Sequence, residues 1–294
     1  MPRLAARALD GLSLIALIAM RAQAQDTLPR THQPRPTVPE ITVEDLRTRL
    51  YLLADDSLAG RRAGTAGDFM ATDYIASEMR RLGLEAAGEA GTYFQRVPLP
   101  TRFAPEQERF PARNVVGIVR GSDPVVRGQY IAISAHNDHI GLARRAVDHD
   151  SLHAYNAARA LLAPGASPST AIRVNTDSLR RLRPPRADSI ANGADDDASG
   201  TAALLEIAEA LATAPTRPKR SILIISHTAE EEGLVGSRWF SDHPTVPRDS
   251  IVAELDLDMV GRGSSRDIVG GGPGYLEVVG ARRLSTEMGT LVDA

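Results

Sequence analysis

Apolar runs of strand length alternate along this chain with amphipathic helical stretches, and that alternation restricts the fold to an α/β sheet flanked by helices. "NVVGIVRG" (Asn114 to Gly121) and "GQYIAISAH" (Gly128 to His136) are β-rich and separated by a turn with Pro124 and Gly128, so they read as neighbouring strands. "RSILIISH" (Arg220 to His227) is a continuous apolar run of strand length, and "SIVAELDLDMVG" (Ser250 to Gly261) supplies a further strand. Asp68 to Leu82 carries Met70, Tyr74, Ile75 and Met79 on one helical stripe and stops at Gly83; Gly200 to Thr213 carries Leu204, Ile207, Ala208 and Leu211 on another. Ahead of both, Thr42 fits a helix N-cap with Glu44 and Asp45 in the first turn and Leu46, Leu50 and Leu53 on one face. These stripes are expected in the core. "YLEVVGARRLSTEMGTLVD" reads as a short β run followed by a helix. Leu142 to Ile190, rich in Ala, Arg, Ser and Pro, reads as a long excursion with one or two short helices, and loops of such length are uncommon unless functional.

The start of the chain has a different character. Arg3 and Arg7 precede an apolar run from Leu12 to Met20 and a small-residue site at Ala22-Gln23-Ala24, the pattern of a secretory signal peptide over residues 1–24 with cleavage after Ala24. The run falls short of the ~20 apolar residues a bilayer span needs, and no cysteine follows it for a lipid anchor, so the expectation is a secreted or periplasmic protein with no membrane attachment after cleavage. Four prolines between Thr27 and Glu40 make residues 25–40 an extended linker, and the folded body is expected over residues 41–294. At 294 residues and 43% hydrophobic content the chain can bury a sizeable core. A net charge of -3 argues against a nucleic-acid partner, which would need a concentrated basic surface. Oligomeric state leaves no trace in the sequence. With no cysteine, any metal must be held by His, Asp and Glu.

Those residues occur in four short segments, "SAHNDHIG", "NGADDDASG", "AEEEGL" and "LDLDMVG", each following a strand or preceding a helix. Ligands of open α/β sheets bind outside the carboxyl ends of the strands, so the four segments converge on one rim. Imidazole nitrogen and carboxylate oxygen are what a divalent cation such as zinc takes. Three consecutive aspartates repel one another unless a cation or solvent takes up the charge, and a metal accounts for them. Each segment alone has an ordinary reading: a capped turn, a solvated loop, a helix start favoured by its dipole. Their joint occurrence in this order is what carries the inference.

From "LRTRLYLLADDSLAGRRAGTAGDFMATDYIASEMRRLGL" through "TYFQRVPL" to its end the chain resembles the zinc-dependent exopeptidases of the M28 type, relatives of aminopeptidase Y and leucyl aminopeptidase. The resemblance implies a mixed central sheet sandwiched by helices. It also implies two zinc ions and hydrolysis of peptide bonds by a metal-activated water, with a peptide or protein as substrate. Matched one position at a time, it makes His136 a ligand of one zinc and Asp138 the carboxylate that orients it. Asp196, fixed in register by Ala198-Ser199-Gly200, becomes the carboxylate bridging both ions. Glu230 becomes the general base, Glu231 a ligand of the second zinc, and Asp258 the residue that completes the first with His136 and Asp196. Asp195 and Asp197 are left as neighbours and Glu232 as a variable position. His139 reads as a structural or rim residue, while Arg61 and Arg62 read as part of a turn near the site. A carboxypeptidase, a glutaminyl-cyclase-like acyltransferase and an inactive peptide-binding relative remain open on the same scaffold.

The pattern departs from the family at its end. The resemblance implies a further His ligand downstream of Asp258-Met259, and residues 259–294 contain none. The expectation is a domain whose C-terminal part is missing, with a second zinc held by Glu231 and Asp196 alone and weak or no activity.

Overall fold

The computed structural model describes residues 31–100, 102, 109–159, 172–182, 184–185, 187–263, 272 and 275–292. The expected signal peptide and the first part of the Pro-rich stretch lie outside them. Residues 31–38 form no regular element but lie on the body: His32 meets the Thr48 hydroxyl at 2.8 Å and Thr37 donates to Glu209 at 2.6 Å. In chain order come α1 (Val43–Leu53), α2 (Ala66–Arg81), β1 (Glu85–Ala86), β2 (Phe94–Arg96), β3 (Arg113–Val119), β4 (Tyr130–His136), β5 (Gly141–Asp148), α3 (His149–Arg159), α4 (Thr176–Leu182), β6 (Ala187–Ala191), α5 (Ala198–Thr213), β7 (Ser221–His227), α6 (Val235–Asp242), β8 (Ile251–Asp256), α7 (Ala281–Leu284) and α8 (Thr286–Val292). Thr42 caps α1 by accepting from the Asp45 N–H, as its sequence implied. Among the described residues no helix is long and apolar enough to cross a membrane.

The main sheet runs β1-β3-β7-β4-β8, with β2 also on β3. β4, β7 and β8 are mutually parallel and β3 lies antiparallel to β7. The expectation that β3 and β4 are neighbours is therefore wrong, because β7 lies between them. Their connection is too long for a tight hairpin, and its polar groups are taken up by the entry to β7: Ser122 N–H bonds the Pro218 carbonyl, and Gly121 N–H the Ser221 hydroxyl. Alternation along the central strands divides the core. Val115, Val119, Ile133, Ile222 and Ile224 face Ile75, Met79, Leu204, Leu205 and Ala208 of α2 and α5. Val116, Ile118, Ala132, Leu223 and Ile225 face Phe240 and Val246 on the other side. Each of the larger side chains among these, fully buried, contributes about 1.5–3 kcal/mol. The result is a mixed sheet covered by helices on both faces.

Three further expectations need correction. The excursion contains strands: β5 and β6 pair antiparallel as a separate ribbon, Leu142 opposite Ile190 and Asp148 opposite Ala187, with α3 and α4 between them. No apolar pattern announced them, since β5 reads GLARRAVD and lies largely exposed. Tyr275 to Val279 is irregular, and Val278 and Val279 face solvent. The apolar stripes are also displaced: Met70 is exposed, and the buried face of α1 carries Asp45, Thr48 and Arg49 beside Leu53, with Leu46 and Leu50 only half-buried.

Candidate active site

Because β4, β7 and β8 are parallel, their carboxyl ends open on one side of the sheet. His136 is the last residue of β4, Glu230 and Glu231 follow β7, and Asp258 follows β8. The turn before α5 brings Asp195, Asp196 and Asp197 to the same place.

The three aspartates do not share one task. Asp197, fully buried, is the N-cap of α5. One carboxylate oxygen accepts from the backbone N–H of Gly200 at 2.9 Å and of Met259 at 3.1 Å, and the other accepts from that of His136 at 3.0 Å. It thereby ties β4, the α5 turn and the exit of β8 together. Asp195 forms an ion pair with Arg262. Asp196 is left facing the site, while Asp195 and Asp197, read from the sequence as its neighbours, have partners of their own. The Asp196–Asp197 peptide is cis. Gly200 is required by the same junction, since a Cβ there would lie 2.1 Å from the Leu257 carbonyl oxygen.

Around His136 the distances are short. Nε2 lies 3.1 Å from Asp196 Oδ1, 3.8 Å from Asp258 Oδ1 and 3.9 Å from Glu230 Oε2. Nδ1 is 3.1 Å from the Asp138 carbonyl oxygen but 3.6 Å from its carboxylate, so the backbone of Asp138 orients the ring. The Asp138 carboxylate accepts instead from the Glu230 N–H at 3.0 Å, which fixes the start of the glutamate segment against β4. One ligating atom each from His136, Asp196 and Asp258 lies within 4.8 Å of the others, and the same holds for His139, Asp196 and Glu231. Asp196 belongs to both groups. His139, set aside in the sequence as a rim residue, has Nδ1 2.5 Å from Glu231 Oε1. Glu232 turns away to pair with Arg62 at 2.9 Å.

Buried polar atoms in this cluster lack hydrogen-bond partners: His136 Nε2, His139 Nδ1 and Glu231 Oε1. Such atoms are rare in folded proteins, and three converging on one carboxylate fit a divalent ion with mixed imidazole and carboxylate ligands. The field agrees. Burial pulls the His136 pKa down, but the carboxylates of Asp138, Asp258 and Asp197 push it up to about 11. Burial raises Asp196 and Glu230 above the usual carboxylate range and takes Asp197 up to about 8, while the imidazole of His139 holds Glu231 below that range. The cluster favours a cation, and a proton on His136 competes with a metal for the position.

Arg61 braces the whole arrangement. It is buried, with Nε donating to the Asn137 carbonyl at 3.0 Å, one terminal nitrogen to Leu53 and Asn192, and the other to Gly193 at 3.0 Å. Ala229 and Met259, which adjoin Glu230 and Asp258, have φ of 56° and 52°, a conformation costly for residues with a side chain and concentrated at functional sites.

A sequence profile of peptidase family M28 matches residues 114–283, more than half of the chain. A "probable zinc metalloprotease" of Leptosphaeria maculans is 27% identical over 213 residues, covering 70% of this chain and 37% of that protein. The mouse aminopeptidase NAALADL1 is 49% identical over 77 residues, 24% of this chain and 10% of that one. The chain thus spans well under two thirds of these curated relatives. Among solved structures, a Zn-dependent exopeptidase of Parabacteroides distasonis superposes with a TM-score of 0.46 at 22% identity, over 76% of this chain and 63% of that one.

Proposed function

This chain belongs to peptidase family M28, and on that premise we propose that it is an exported zinc exopeptidase of the aminopeptidase kind, cleaving residues from the N-terminus of peptides. The observation that carries the reading is the pair of ligand groups sharing Asp196, with buried nitrogens and oxygens that nothing else satisfies. In it His136, Asp196 and Asp258 hold one zinc, and Asp196 with Glu231 holds a second. When bound, zinc acts as a Lewis acid toward the scissile carbonyl and lowers the pKa of a coordinated water. Glu230 takes a proton at the attacking side and returns it to the departing amine. Its backbone is pinned by Asp138, its carboxylate stands beside the His136 nitrogen, and burial raises its pKa, making it a better proton acceptor. Asp197 and Arg61 hold the loops at their spacing. The similarity to an aminopeptidase over the matched stretch supports the N-terminal preference, and the pattern over residues 1–24 supports export.

The test is Glu230→Gln. It keeps shape and removes the base, so the variant should retain zinc while the hydrolysis of aminoacyl anilides falls by about 10²–10⁴-fold. Rates equal to wild type overturn the role of Glu230. Equal cleavage of N-acetylated and free N-terminal peptides overturns the aminopeptidase assignment.

A further inference from the structure

We propose that His139, through Nδ1, is a protein ligand of the ion held by Asp196 and Glu231. This rests on the two-ion reading above and changes what that reading requires: the second site then has three protein ligands within the described residues, the number usual for a catalytic zinc that keeps one position open.

Three observations support it. The first is geometric. His139 Nδ1 and Glu231 Oε1 are 2.5 Å apart but not aligned as a hydrogen bond, and both are buried with no other partner. A simple imidazolium–carboxylate pair would align an N–H with the oxygen; two lone-pair atoms side by side, both within 4.8 Å of an Asp196 oxygen, share a direction that a cation satisfies. The second is that the ring is seated by the machinery that places Asp196. The His139 backbone N–H donates to the Arg61 carbonyl, and the Arg61 side chain clamps Asn192 and Gly193. The third is room made for the ring. Gly193 has φ 60°, and a Cβ there would lie 2.4 Å from the Asp196 carbonyl oxygen and 2.6 Å from His139 Cγ, against the imidazole. A side chain at position 193 would press on both the Asp196 backbone and the ring, which ties the glycine of "NGADDDASG" to the histidine of "SAHNDHIG".

The chain contains no cysteine, and this supplies a direct test. The full chain, stripped of metal, is titrated with zinc and with cobalt(II) alone as wild type, His139→Ala and His139→Cys, folding being checked by circular dichroism. Wild type is expected to take up two ions. His139→Ala should weaken the second by 10²-fold or more and leave the first unchanged, since loss of even an orienting partner of a ligand costs about 10–100-fold. His139→Cys loaded with cobalt should show a near-ultraviolet thiolate-to-cobalt charge-transfer band absent from wild type. Two ions of unchanged affinity in His139→Ala, or a cobalt-loaded His139→Cys without the band, overturns the proposal while leaving the two-ion reading in place. A wild type that binds no zinc overturns both.

Discussion

His227 shows how a single side chain can set the pH response of the protein. It ends β7, buried against the edge of Phe240, and its Nδ1 has no hydrogen-bond partner. Burial, aided by the nearby His136 cation, pulls its pKa down to about 4. The folded state therefore binds fewer protons here than the unfolded one, whose imidazole titrates near 6.5. The neutral His227 contribution is complete above pH 6.5 and is lost as pH falls toward 4, amounting to about 3 kcal/mol across that window. His227→Leu removes the group, so its urea midpoint should fall less between pH 6.5 and 4 than that of wild type. Parallel loss in the two proteins would refute the assignment. At this scale the sequence showed which residue types gather but not how they divide. Asp195, Asp196 and Asp197 are chemically identical in a string. What separates them is Arg262 and the N–H of Met259, more than sixty positions away and placed by the exit of β8. The partner of His139 was hidden for the same reason, Glu231 arriving more than ninety positions later at the exit of β7.

Between elements, the contact of α1 with α5 carries a buried polar cluster beside the apolar stripe expected of α1. Arg49, fully buried, donates to Glu206 at 2.6 Å, Glu209 at 2.7 Å and Glu78 at 2.7 Å, joining α1, α5 and α2. Removing one partner of such a set strands the others, at a cost of about 3–5 kcal/mol. Arg49→Met should lower the urea unfolding free energy by that amount, and Arg49→Met with Glu206→Gln and Glu209→Gln should regain part of it. A single variant within 1 kcal/mol of wild type would mean that water already screens the cluster. Helix α1 was legible through its cap at Thr42, yet its buried face was not, because Leu46 and Leu50 carry the hydrophobicity while Arg49 finds its carboxylates only in the folded chain. Strands show the same limit. The runs that became β3, β4 and β7 announce strands by composition, but strand order depends on where the connection after Val119 finds hydrogen bonds, and those are at Pro218 and Ser221. The β5–β6 ribbon was invisible because its exposed residues need no apolar period.

Across the molecule, the site gathers residues from Arg61 to Arg262, so an ion can be held only when all the intervening elements are in place. Zinc binding and folding are then linked: an ion that binds the native state alone stabilises it by about 2.7 kcal/mol when free zinc is a hundredfold above its dissociation constant. For a domain of this size that corresponds to a rise of roughly 5–10 °C in the thermal midpoint. The sign of the pH dependence follows from His136. Its imidazole, pushed up to about 11 by the surrounding carboxylates, must lose a proton before it can ligate, so each step down in pH favours the proton over the metal. The zinc-dependent rise should accordingly be larger at pH 8 than at pH 6, reverse on chelation, and be strongly reduced in Asp196→Asn, which weakens the carboxylate common to both ligand groups. Scanning calorimetry with and without chelator at the two pH values measures it. A midpoint indifferent to chelator, or a zinc effect that grows as pH falls, would detach the metal from the fold and leave the cluster with a proton as its only cation.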